Sequence, residues 1–270
     1  MSQFVPVRNA SSFRKMAAAM WRRPNDPVIY GSLDVDASAA LAFLEQVREK
    51  TGRRATLTHL VARAVAVALA RHSELNAKVR FWGRLEHRRT VDLFLQVSTD
   101  DGQDLSGARI DAADTKSLVE IADEIEQKAK TIREGADATY RQSRDLFRRM
   151  PWWALRPLLR ISDFLVNELH LDLASRGMPR DPFGSAMITS VGMFGIETGF
   201  APMTPVARCN MIVLVSAVRE RPWVVDGQLA VRPVLRLCAT MDHRVIDGYH
   251  AGVLARELRG LLENPQTLAE

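Results

Sequence analysis

The side chains of this chain best suited to chemistry are gathered in Asp242-His243-Arg244-Val245-Ile246-Asp247-Gly248, close to the end of its 270 residues. An imidazole has the ordinary side-chain pKa nearest neutrality, so it can take a proton and return it within one reaction cycle. A carboxylate one helical turn further on adds a fixed negative charge, and the glycine after it leaves backbone open to an approaching ligand. General-base catalysis centred on His243 is the chemistry this combination offers. The same residues have a plain structural reading: Asp247 is a good helix N-cap, and Gly248 eases a turn.

The segments on either side must hold that turn. Residues 233–240 read as a buried strand, and Asp247 opens an amphipathic helix with Val253, Leu254, Leu258, Leu261 and Leu262 on one face. His243 then stands where a strand ends and Asp247 where a helix begins. Upstream, residues 28–35 alternate as a strand, and 38–50 form a helix with Ser38 as its N-cap. Thr56 caps a helix carrying Leu57, Leu60, Val61, Ala64, Val65, Ala68 and Leu69, so rich in alanine that it must be buried against a sheet. Residues 85–99 give two short strands, with Val91, Leu93, Leu95 and Val97 on one face. Asp114 caps the next helix, which carries Leu118, Ile121, Ile125, Ala129 and Ile132 and stops at Gly135. Residues 185–191 form a central strand ending at Gly192-Met193-Phe194-Gly195, and 211–218 a near-continuous apolar strand. Asp226-Gly227 is a two-residue hairpin turn between Trp223-Val224-Val225 and Leu229-Ala230-Val231.

Three motifs in order carry a resemblance. Phe183-Gly184-Ser185-Ala186-Met187-Ile188-Thr189-Ser190-Val191-Gly192-Met193-Phe194-Gly195-Ile196, then Arg221-Pro222-Trp223-Val224-Val225-Asp226-Gly227, then the His243 turn stand at spacings like those in the catalytic cores of the dihydrolipoyl acyltransferases of 2-oxo acid dehydrogenase complexes. That family shares its fold with chloramphenicol acetyltransferase. The resemblance implies an α/β (α+β) two-layer sandwich, a central mixed sheet with helices packed on one side. It implies acyl transfer between coenzyme A, as substrate, and a thiol such as dihydrolipoamide, without a metal.

By the same resemblance His243 is the general base, and Thr189 stands where the family has a hydroxyl that donates to the oxyanion. Ser190 is the neighbour to consider should the strand slip by one residue. Asp247 orients the turn by pairing with an arginine of the first helix, for which Arg14 is the best match, and Gly248 supports the site. The family's active site lies between subunits of a trimer, so a homotrimer or a higher multiple of three is expected.

The chain also departs from the family. After Asp101-Gly102 an apolar, proline-containing strand is replaced by Gln103-Asp104-Leu105-Ser106-Gly107-Ala108-Arg109-Ile110, which alters one wall of the substrate channel. Phe200-Ala201-Pro202-Met203-Thr204-Pro205 replaces an Asn-Pro-Pro-Gln run. Residues 136–182 are far longer than the family's connection and read as a helical insertion. In it, Arg148, Arg149, Arg156 and Arg160 oppose Trp152, Trp153 and a Leu/Ile/Phe stripe. Packing on the chain itself or a neighbour, a lid over the acyl pocket, and docking on a membrane surface are its three readings.

Residues 1–270 are expected to form a single catalytic domain without a lipoyl or subunit-binding domain, so lipoyl groups, if used, come from a separate protein. An apolar share of 47% can fill a sizeable core. The net charge of +5 and pI near 9.5 suit CoA phosphates or an anionic surface. The basic residues are spread along the chain, which argues against nucleic acid. Cys209 and Cys238 are read as reduced core thiols, His59 and His72 as fold residues, and the setting as cytoplasmic. The function classes in play are a CoA-dependent acyltransferase, an oligomeric scaffold that kept the fold without turnover, and a membrane-peripheral transferase with a lipid acceptor.

Overall fold

The computed structural model describes residues 27–80, 83–99, 104–134, 151–171, 181–203 and 207–268. Arg14, the basic run at 140–150, Gly135 and the Thr204-Pro205 pair lie outside the described residues. The strands are β1 (Val28–Asp36), β2 (Ala77–Val79), β3 (Leu85–His87), β4 (Leu93–Thr99), β5 (Asp104–Ile110), β6 (Ala186–Ser190), β7 (Met211–Val215), β8 (Arg219–Val225) and β9 (Gln228–Asp242). The described helices are α1 (Ser38–Thr51), α2 (Leu57–Arg71), α3 (Leu118–Arg133), α4 (Trp152–Asp163) and α5 (Gly248–Glu263).

Seven strands form one sheet in the order β1-β9-β7-β6-β4-β5, with β8 paired to the first half of β9, while β2 and β3 make a separate ribbon. The sheet is mixed: β6 runs parallel to both β4 and β7, and the other pairs are antiparallel. Ala186, Ile188, Met211, Val213, Leu235 and Leu237 point from it into one core shared with α1, α2, α3 and α5. The helices thus lie on one side. Met187 and Ile212 point to the other side, where Ala207 and Cys209 pack with Phe94 and Met203. The replaced stretch after Asp101-Gly102 is the edge strand β5, paired to β4 from Asp104 to Ile110.

Helix α2 has the alanine-rich face expected of it, with Leu60, Val61, Ala64, Val65, Ala68 and Leu69 all buried. Its N-terminus is closed by Thr56, which accepts from the His59 N–H while His59 Nδ1 accepts from the Thr56 N–H at 3.3 Å. That second bond needs a ring nitrogen without a proton, and burial pushes the His59 pKa down to about 4. A base whose folded pKa is lowered binds fewer protons folded than unfolded, so its contribution is full above about pH 6.5 and is lost as pH falls towards 4. Unfolding free energies measured at pH 7 and pH 5 are expected to differ by on the order of 1 kcal/mol from this group. A His59→Gln variant, which keeps an acceptor at the same place, removes that difference.

Three details differ from the sequence reading. Asp114 does not cap α3; the cap is Ser117, whose hydroxyl accepts from the Glu120 N–H while the Glu120 carboxylate accepts from the Ser117 N–H at 2.8 Å. The Asp114 carbonyl instead accepts from the buried Arg63 guanidinium at 2.7 Å. Ser38 is the first residue of α1 rather than its cap, and its hydroxyl and N–H both donate to Asp36. Residues 229–231 and 233–240 belong to one strand, the 15-residue β9.

Gly184, just before β6, has φ +62, and a Cβ there would lie 2.4 Å from the Asp92 carbonyl oxygen. Ser185 donates its N–H to that same oxygen at 2.7 Å, so the backbone has no room to retreat. A Gly184→Ala variant is expected to lose about 2 kcal/mol or more of stability, read as a lower denaturant midpoint at unchanged slope.

Candidate active site

His243 follows the last residue of β9, and its position is fixed from the neighbouring strand: its N–H donates to the Pro27 carbonyl at 2.7 Å, continuing the register in which Val28 faces Asp242. The turn folds on Asp242, whose carbonyl accepts from the N–H groups of Val245 and Ile246 and whose buried carboxylate holds the Arg244 guanidinium at 2.6 Å. Ile246, with no exposed surface, pins the turn to the core. The His243 side chain is left facing solvent.

Asp247 caps α5, its Oδ1 accepting from the His250 N–H at 3.0 Å. The same oxygen lies 2.9 Å from His250 Nδ1, so the carboxylate's described partner is a histidine of its own helix. The His250 N–H, with the neighbouring imidazoles of His250 and His243 adding to it, holds the Asp247 carboxyl below the usual range. Sequence reasoning missed His250, although a residue three after an N-cap is where a reciprocal partner belongs. Gly248 has no neighbour within 4 Å of a built Cβ and does not adopt a positive φ. Among the described residues, neither conformation nor packing requires glycine there, and the space beside the imidazole's helix is open.

Thr189 lies in β6 opposite Leu214 of β7, half-buried. Ala186 and Ile188 face the helices and Met187 faces away, so alternation puts Thr189 on the face without helices and Ser190 on the helical face. Further along the face without helices Arg236 grips Asp34 with two bonds of 2.6 and 2.7 Å and donates to Thr198 at 3.1 Å, tying the loop after β6 to β1. The Arg236 hydrogen bond holds the Asp34 carboxyl below its usual range.

Register separates the two candidate groups. Ala186, Met211 and Met241 lie in one row across β6, β7 and β9. His243 is two residues beyond that row in one direction, and Thr189 is three residues beyond it in the other, because β9 runs against β6 and β7. Five residues at about 3.3 Å and two strand spacings at about 4.8 Å put them roughly 19 Å apart. Within one chain the hydroxyl and the imidazole do not meet.

The inserted segment is fastened to its own chain. The Asp163 carboxylate takes two bonds from Arg208, at 2.5 and 3.1 Å, and Glu168 pairs with Arg80 at 3.1 Å and Arg208 at 3.3 Å. Both acidic residues therefore face core arginines. Among the described residues, no helix is long and apolar enough to cross a membrane, and no group of His, Cys, Asp and Glu is placed to hold a metal ion. Both cysteines are buried and free, and burial pushes the Cys209 thiol up to about 12.

The family model of the 2-oxoacid dehydrogenases acyltransferase (catalytic domain) matches residues 4–140 and 182–270. The chain belongs to this family. The family match includes β6 with Thr189 and the whole His243 turn, and it is interrupted across α4. A relative is the dihydrolipoyllysine-residue acetyltransferase component of the pyruvate dehydrogenase complex of Zymomonas mobilis, 25% identical over 248 residues, which are 90% of this chain and 46% of that protein. The chain thus spans about half the length of the curated relatives it matches along most of its own length. Among solved structures, the cubic core of the pyruvate dehydrogenase multienzyme complex aligns with TM-score 0.65 and 21% identity over 98% of this chain and 99% of that one. Chloramphenicol acetyltransferase aligns with TM-score 0.51 and 14% identity over 97% and 100%. The fold is therefore the α/β one expected, shared by the family's cores and chloramphenicol acetyltransferase.

Proposed function

We propose that the protein is a CoA-dependent acyltransferase in which His243 removes the proton from an incoming thiol and Thr189 of a second copy stabilises the oxyanion. The observation that carries the reading is the His243 turn itself: in a chain of this family, an imidazole fixed at the end of a central strand by its own backbone N–H is presented to solvent. A thiol of ordinary pKa is mostly protonated at neutral pH, so a base at the point of attack raises the share that reacts. The thiolate adds to the thioester carbonyl, and the oxygen that gains charge accepts from the Thr189 hydroxyl. Collapse expels the other thiolate, which takes the proton back from the imidazolium. No metal enters the balance. Asp247 holds the start of α5 and touches no reacting atom.

The roughly 19 Å between Thr189 and His243 within a chain supports a site completed by a neighbouring copy, as does the open space at Gly248. The assembly proposed is a homotrimer or a multiple of it, with residues 1–270 acting as one catalytic domain and 136–182 as an addition to it. Coenzyme A is the acyl carrier. Dihydrolipoamide, supplied by a separate lipoyl-bearing protein in a cytoplasmic setting, is the first acceptor to test. The experiment is incubation with a panel of acyl-CoA thioesters, with and without dihydrolipoamide, following free CoA. Dihydrolipoamide-dependent release supports the reading; release only with other alcohol, amine or thiol acceptors changes the acceptor; no release with any acceptor leaves a scaffold.

A further inference from the structure

The ribbon β2–β3, the start of β4 and the described residues 166–170 and 181 enclose a cavity of about 470 Å³, a volume suited to a small metabolite. Most of its lining residues are charged, with His87, Thr90, Val166 and His170 beside them. Three carboxylates line it, and each is already matched. Asp181 is held by Arg88 at 2.6 Å, Asp92 by Arg109 at 2.8 Å, and Glu86 by Arg80, from outside the lining, at 2.6 Å. Two further cations line the same space, Lys78 and Arg89.

Lys78 is the unusual one. It lies on β2 with only 9% of its surface exposed, yet among the described residues its ammonium makes no hydrogen bond or ion pair. An ammonium carries three donors, and those of Lys78 are left to solvent rather than sealed in the core. Burial pulls its pKa down, and the charges of Asp181 and Glu86 oppose that without a contact. Arg89 stands exposed at the rim. Neither His243 nor Thr189 belongs to the lining, and part of the wall, Val166, His170 and Asp181, comes from the stretch that the family match omits.

We propose that this cavity binds a small oxyanion, a phosphate or carboxylate group, with Lys78 as its anchor and Arg89 at its mouth. Part of the wall lies outside the family match and neither His243 nor Thr189 lines it, so the proposal stands whether or not the transferase reading does.

The test measures unfolding temperature and heat of binding for the whole chain with inorganic phosphate and with succinate, against sodium chloride at matched ionic strength. Saturable stabilisation beyond chloride is expected. Phosphate alone assigns a phosphate group, succinate alone a carboxylate, and both an unselective oxyanion site. Lys78→Met should weaken binding at least about tenfold, the usual consequence of losing a charged hydrogen-bond partner, and Arg89→Gln by a few-fold. Removing an ammonium that makes no contact among the described residues should leave the unliganded unfolding temperature unchanged or raised. A response no greater than chloride gives, a Lys78→Met variant that binds equally well, or one whose unliganded protein melts earlier, each overturns the proposal.

Discussion

A His243→Ala variant is expected to transfer acyl groups about a hundredfold or more slowly than the wild type, with the acyl-CoA KM little changed. Among the described residues the exposed imidazole makes no hydrogen bond: what fixes the turn is the His243 backbone N–H on Pro27, the Asp242 carbonyl, and Ile246 in the core. Alanine keeps all three. The variant should therefore fold and assemble as the wild type does, so a loss of rate reports on proton transfer rather than on collapse of the turn. The measurement is CoA release under saturating acceptor together with the unfolding temperature. Unchanged release in a folded variant would remove His243 from the chemistry.

Thr189→Ala is expected to cost about a hundredfold or more as well, through the lost donor to the oxyanion. Its more telling use is in combination. If each site takes its imidazole from one copy and its hydroxyl from the next, subunits of the two inactive variants, dissociated and reassembled together at equal amounts, regain activity. One interface in roughly four then joins a copy with an intact histidine to a copy with an intact threonine in the right order, so about a quarter of wild-type activity returns. A site contained within one chain gives no recovery on mixing. The roughly 19 Å set by the strand register favours the first outcome.

Much of this architecture is written in local pattern. The alternation around Leu93 and Leu95, the apolar run of β7, and Asp226-Gly227 with φ of +50 and +79 all appear where periodicity and turn chemistry put them. Where local signals compete, the sequence is ambiguous. Asp114 and Ser117 are both cap residues, and what decides between them is Glu120, three residues after the serine, together with Arg63 claiming the Asp114 carbonyl from another helix. Pro233 reads as the start of a strand, yet β9 passes through it. The N–H and carbonyl of a strand residue point to the same side, and on that side β1 has just ended. The Pro233 carbonyl takes the Ala37 N–H there, while the Ala37 carbonyl is already engaged by Leu41. The missing donor therefore costs no ladder bond.

The candidate site was legible as a turn and not as a constellation. Residue types and spacing point to His243 and, through the resemblance, to Thr189, but only strand order and register show that they lie apart in one chain. The charged cavity was not legible at all, since Arg88 and Asp181 meet across 93 positions of sequence and nothing near either announces the other.

Among the described residues strand β1 is an edge of the sheet, paired only to β9, and the carbonyl just before it, that of Pro27, moors the His243 amide. Sheet edges fray before sheet centres do. The proposed base is thereby tied to one of the first parts of the molecule to loosen, so warmth, or any partner that grips this margin, is expected to reach it before the interior gives way.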